Sequence, residues 1–301
     1  MESLLNALPG AAAQGLIWGI MAIGVYLTYR ILDIADLTVD GSLGTGGAVF
    51  IMMMLSGQNV WVAMLGAVLA GMAAGLATGL LHTFMGIPAI LAGILTQLSL
   101  YSVNLKVMGK ANQAINVDKF DLLVSLRYIR NVPFYKNTIF VVAIGILLLI
   151  VVLYWFFGTE MGCSLRATGC NDKMARAQGI NTDFARVLGL MISNGLVALS
   201  GAMLCQYQGF ADVNMGRGAI VIGLAAVIIG EAVFGKIFRN FGFRLFGVVL
   251  GSIIYYLVLQ VVIWRGIDTD LLKLLSAVVV AIFLAIPYWK TKYFTKTRKR
   301  G

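Results

Sequence analysis

Long apolar runs recur along this chain at the length a bilayer demands, and that repetition constrains the fold more than any other feature. A hydrocarbon core about 30 Å thick takes roughly 20 mostly apolar residues per helix. Runs of that kind fall at 14–29, 42–55, 60–81, 88–107, 138–157, 184–207, 219–234, 246–264 and 271–288. The reading is therefore an all-α polytopic membrane protein with about nine transmembrane helices, within a range of eight to ten. Composition agrees. Only 12% of residues are charged, against roughly 25% in soluble domains. The opening ten residues lack a basic flank and are too short for a cleavable signal; they read as a short interfacial helix.

Polar stretches between the runs are too brief for a soluble catalytic domain with its own core. One histidine and three scattered cysteines leave little for a metal cluster, a disulfide framework or acid–base chemistry. The net charge of +10 does not require nucleic acid, because six of the 23 basic residues lie within the last twelve positions. A basic tail at 289–301 suits an anionic membrane face. If the polar gap at 158–181 is cytoplasmic, fourteen basic residues fall inside and nine outside, so the lysine and arginine bias gives an outer N-terminus and an inner C-terminus.

Two polar segments and a scatter of intramembrane residues carry the functional possibilities. The first segment, Asp33-Ile34-Ala35-Asp36-Leu37-Thr38-Val39-Asp40-Gly41-Ser42, precedes Gly44, Gly46 and Gly47. It fits a discontinuous helix on a solute path, since exposed backbone survives at membrane depth only against protein or water. It fits equally a solvated turn between two ordinary helices. Asp40 or Ser42 would cap the following helix. The second segment, Arg166 to Asn181, contains a two-turn helix with Asn171 at its N-cap, Asp172 at the positive dipole end and Gly179 just past its C-terminus. So short a helix is unstable alone. It rests on lipid at the interface or docks on protein.

Within the runs, Thr96, Gln97, Ser99, Asn104, Ser193, Asn194 and Gln206 read as interhelical glue, and Gly66, Gly71, Gly75 and Gly79 as close helix packing. The methionines read as packing or lipid-facing residues, His82 as a surface histidine, and Glu231 as a solvated helix end. The segments opening at Gly86 and Gly216 share a small-residue pattern and would start from opposite faces, as an inverted repeat requires.

From Ser164 to Gly209 the sequence resembles the permease subunits of ABC importers of the branched-chain amino acid and ribose type. Their loop pattern is matched by Arg166, Ala167, Asn171, Ala175, Gly179, Ile180 and Asn181, followed by Ser200-Gly201-Ala202. Toward the start, Gly15, Ala22, Ile23, Gly24 and Tyr29 precede Asp36 to Ser42 where that family has a discontinuous second helix. The resemblance implies a coupling helix carrying Asn171, Met174, Ala175, Gln178 and Gly179, presented to a separate ATPase. It also implies a translocation path shaped by Asp36, Thr38, Asp40, Ser42, Gln97 and Asn194.

Implied partners are two ABC ATPase subunits, a second permease copy (identical or a sister chain), an extracellular or lipoprotein binding protein and membrane lipid. ATP and magnesium would belong to the ATPase, since the chain has no G-x-x-x-x-G-K-[ST] phosphate loop. Val39 and Gly41 stand where amino acid permeases place histidine and glutamate, so substrate contacts do not transfer. The aspartate-rich form looks most like a subgroup served by lipoprotein binding proteins for amino acids, aromatic ones among them. Sugar or nucleoside import by the same family, and an ion-coupled carrier using Asp36, Asp40 or Glu231, are the alternatives.

Overall fold

The computed structural model describes residues 2–117, 120, 122–129 and 137–265, with 271, 274, 277, 278, 280–282 and 285 beyond them. In chain order the helices are α1 (Glu2–Tyr26, prolonged by a π turn at Leu27–Ile31), α2 (Thr38–Leu55), α3 (Val60–Thr83), α4 (Ala89–Met108) and α5 (Thr138–Gly158). There follow α6 (Glu160–Cys170), α7 (Asp172–Ala177), α8 (Thr182–Gln208), α9 (Ala219–Phe234) and α10 (Phe241–Trp264). A small antiparallel ribbon pairs β1 (Asn112–Ala114) with β2 (Phe210–Asp212). It lies where α4 and α8 both finish, and defines the ribbon end. Helices α6 and α7 define the opposite, loop end.

Seven helices among the described residues have the length and apolarity to cross a bilayer. Helix α9, at 16 residues, is about 24 Å long, short of the roughly 30 Å hydrocarbon core. The run at 271–288 lies largely outside the described residues. The architecture is all-α and polytopic, and the ribbon and α6 are additions that hydropathy does not reveal. The opening residues differ from expectation: no separate interfacial helix precedes the first span. Pro9 lies inside α1, where its missing donor removes one hydrogen bond. The helix continues because residues from Ala11 onward are buried against the bundle, a gain that outweighs one lost bond.

The bundle centres on α1 and α8, and glycines set how closely helices approach. On α3, a Cβ at Gly71 would sit 2.4 Å from the Asn194 carbonyl, and one at Gly75 would sit 2.3 Å from that of Leu190. Gly79 continues this stripe against Val187, while Gly66 faces Met53 of α2. Serines tie α8 and α10 to α1: Ser193 Oγ donates to Gly24 O, Ser200 Oγ to Ile17 O and Ser252 Oγ to Gly15 O, each at 2.8 Å. Without a hydrophobic force between helices in lipid, such packing and bonding hold the bundle. Helices α3 and α5 turn Trp61, Leu65, Leu148 and Trp155 outward, the pattern of a lipid-facing wall.

Candidate functional site

The chain leaves the π turn at Ile31 and does not resume helical form until Thr38. The intervening 32–37 segment climbs beside α8, with Leu32 against Gly189 and Asp36 against Asn194. Asn194 is the thirteenth of α8's 27 residues, so α2 begins about halfway along a helix that crosses the bilayer. The break thus lies ahead of α2, and α2 itself is continuous. Leu32, Ile34 and Asp36 are buried against the bundle while Asp33 and Ala35 are exposed, so the non-helical backbone lies between protein and an open face, where its polar groups can be met.

Asp36 is 2% exposed, and both its carboxylate oxygens are engaged. The Thr38 N–H donates to Oδ1 at 2.9 Å and Asn194 Nδ2 donates to Oδ2 at 2.7 Å. Ser42 Oγ in turn donates to Asn194 Oδ1 at 2.6 Å. Asp36 therefore serves the N-terminus of α2, the role that spacing alone assigns to Asp40 or Ser42. Asp40 instead reaches the start of α9, accepting from Gly218 N and Ile220 N, both at 2.9 Å. A carboxylate at a helix N-terminus is favoured by unpaired N–H groups and by the dipole. Helices α2 and α9 thus begin near one another and run toward opposite ends.

Thr38 belongs to a hydroxyl chain. Thr38 Oγ1 lies 2.7 Å from Thr78 Oγ1, which donates to Thr96 Oγ1 at 2.9 Å, and Thr96 donates to Ala92 O at 3.0 Å. One proton orientation satisfies all three hydroxyls and ties α2, α3 and α4 together. Thr38, Ser42 and Asn194 are fully buried. Gln97 and Asp40 are half-buried.

Sequence reasoning missed Arg217, whose guanidinium lies 5.8 Å from the ring centre of Tyr101. Both are exposed, as are Ser99 and Ser102 on α4. An arginine two residues ahead of an apolar span was the available signal. Glu231, read as a solvated helix end, lies in the last turn of α9 with its side chain 37% exposed, and there it forms an ion pair with Arg30, Nε to Oε1 at 2.9 Å.

The loop end carries the second constellation. Asn171 Oδ1 accepts from Met174 N at 3.1 Å, closing the first turn of α7, and Gly179 at φ +82° supplies the left-handed residue that ends it. Arg176 Nη2 meets Asp183 Oδ1 at 2.9 Å and Arg186 Nη2 meets Asp172 Oδ1 at 3.3 Å, so charges pin α7 to the start of α8. Ala175 is 1% exposed and Met174 60%. Thus Ala175 points back into the protein, while Met174, Lys173, Ala177, Gln178 and Gly179 face outward.

Seven helices of membrane length among the described residues, packed around an inner polar hinge, define a multi-pass membrane protein. Residues 8–287 match the family model described as the branched-chain amino acid transport system permease component. The chain belongs to that family of ABC importer permeases. It is 38% identical to the tyrosine transport system permease protein of Clostridioides difficile over 93% of this chain and 91% of that one. It is 30% identical to the autoinducer 2 import system permease protein LsrC of Yersinia pestis, over 73% of this chain and 60% of that one. Among solved structures, PsaBC from Streptococcus pneumoniae in complex with Fab matches at a TM-score of 0.56, covering 99% of each chain at 17% identity; this likeness concerns the fold.

Proposed function

We propose that the chain is the membrane-spanning subunit of an ATP-driven importer for a small polar solute, an aromatic or branched-chain amino acid, working by alternating access. The observation that carries this is α7: a six-residue helix, too short to persist alone, yet capped, ion-paired to α8 and turned outward along Met174 and Gln178. That is the form of a rigid knob offered to a partner. The loop end is then cytoplasmic, two ATPase subunits grip α7, and ATP and magnesium are bound by those subunits. A binding protein, free or lipid-anchored, delivers the solute at the ribbon end. Kinship to a permease named for tyrosine transport favours an aromatic amino acid.

A second permease copy is supported by α4, whose exposed polar face carries Ser99, Ser102 and Lys106. Polar side chains within a span need water or protein opposite them. Two such faces would enclose a hydrated route, with Gln97, Asp40, Tyr101 and Arg217 on its wall. Asp36, Thr38, Ser42 and Asn194 would shape that wall from behind. Their bonds, and those of Asp40 and Glu231, occupy the acids an ion-coupled carrier would need.

The test uses Met174→Asp and Gln178→Glu, which change the outward face of α7 and leave the Asn171 side-chain cap and Gly179 in place. Uptake driven by the complete transporter should fall at least tenfold, and the ATPase should no longer copurify, while the permease stays in the membrane at normal abundance. Normal uptake by the double variant would overturn the proposal. Ala175 is unsuited to the experiment, because a larger residue there would disturb the loop's own packing.

A further inference from the structure

At the loop end, α1, α5, α6 and α10 enclose a crevice of about 700 Å³ whose wall carries four arginines, Arg30, Arg166, Arg239 and Arg244, and no carboxylate. Arg30 is partnered outside the crevice by Glu231. Arg166 donates to a backbone carbonyl, Phe157 O, at 2.6 Å, which leaves its charge uncompensated. With Arg30 paired, three guanidinium groups remain on one cavity and repel one another unless an anion joins them, and arginine's planar fork suits phosphate oxygens in pairs.

The crevice opens at the level where membrane helices end. Its wall takes Tyr154 and Phe157 from the last turns of α5, and Asn240 and Phe241 from the start of α10. On either side the surface is apolar: Trp155 is 70% exposed and Ile237 71%. Phe234, Phe238, Phe243 and Phe246 form a run of ring contacts alongside, with centroids 5.4 to 6.3 Å apart. Aromatic residues at the boundary with basic residues beside them mark the headgroup region. A soluble anion would meet such a rim unfavourably, whereas an acyl chain would cover it.

We infer that this crevice binds the phosphate of an anionic phospholipid, the headgroup held by Arg166, Arg239 and Arg244 and the acyl chains lying against α5 and α10. Basic pockets between helices on an anionic leaflet bind headgroups in this manner. The inference is separate from the transport reading; it requires only anionic lipid at the loop end.

The experiment is native mass spectrometry of the purified full chain after exchange into phosphatidylglycerol or phosphatidylcholine, for the wild type, Arg239→Gln/Arg244→Gln and Arg239→Lys/Arg244→Lys. Wild type should retain phosphatidylglycerol at least fivefold over phosphatidylcholine, the glutamine pair should lose that preference, and the lysine pair should keep at least half of it. Equal retention of both lipids by wild type, or an unchanged preference in the glutamine pair, would overturn the inference. Displacement of phosphatidylglycerol by millimolar glycerol phosphate would do so too, by pointing to a soluble anion. Cys170 also lines the crevice, and its thiol labelling with Cys163→Ser gives a readout in the membrane. Labelling should slow in phosphatidylglycerol nanodiscs. Slowing only on addition of ATPase subunits, in phosphatidylcholine, would reassign the arginines to a protein partner.

Discussion

Asn194 is the residue on which the inner hinge depends, because one amide serves three groups. It donates to Asp36 and Leu190 O and accepts from Ser42. Replacing it with leucine leaves a buried carboxylate short of a donor and a hydroxyl without an acceptor. Each buried donor or acceptor left unsatisfied costs about 1–3 kcal/mol, and more where the group is charged. Ser42→Ala removes one neutral partner and should cost about 1 kcal/mol. Thermal unfolding in detergent should therefore rank Asn194→Leu well below Ser42→Ala, with Ser42→Ala near wild type. Such partnerships are hard to read from sequence. The clustering of Asp36, Asp40 and Ser42 was visible, and so was the unusual cost of acids there. Which helix each carboxylate serves was not, because Asp40 and Gly218 are 178 positions apart and nothing local relates them.

Elements were easier to read than their joints. Helix ends followed hydropathy and capping chemistry closely: Asn59, Asn137, Asn171 and Asn181 each accept from a backbone N–H in the first turn they precede. The glycine stripe on α3 was readable because its spacing of four places Gly71, Gly75 and Gly79 on one face. The start of α2 was displaced toward Thr38 because buried Asp36 accepts from the Thr38 N–H, a partnership invisible to a hydropathy window. The stripe yields a sharp contrast. A side chain at Gly75 meets the α8 backbone, which cannot yield, whereas Gly145 of α5 has nothing within 4 Å of the corresponding position. Gly75→Leu should force α3 and α8 apart and abolish accumulation of folded protein. Gly145→Leu should leave expression and melting temperature unchanged. Fluorescence size-exclusion chromatography of the two variants checks this.

At the scale of the whole molecule, orientation decides which end meets the ATPase. Cys163 and Cys170 are exposed on α6 and Cys205 is buried, so the native thiols report on the loop end alone. A membrane-impermeant maleimide should label inside-out vesicles and spare intact spheroplasts. Labelling of spheroplasts instead would place α7 outside the cell and overturn the coupling role proposed for it. One further consequence follows from α9, which is held by different neighbours at its two ends: Asp40 of α2 grips its start, and Arg30 at the close of α1 grips Glu231. Ile220 and Glu231 are eleven positions apart, just over three whole turns, so both grips fall on nearly the same side. The segment behaves as a connecting rod whose phase matters more than its polarity. A single alanine inserted after Ala225 would swing Glu231 about 100° off its mate and disconnect the two halves of the bundle, silencing uptake in a protein that still assembles.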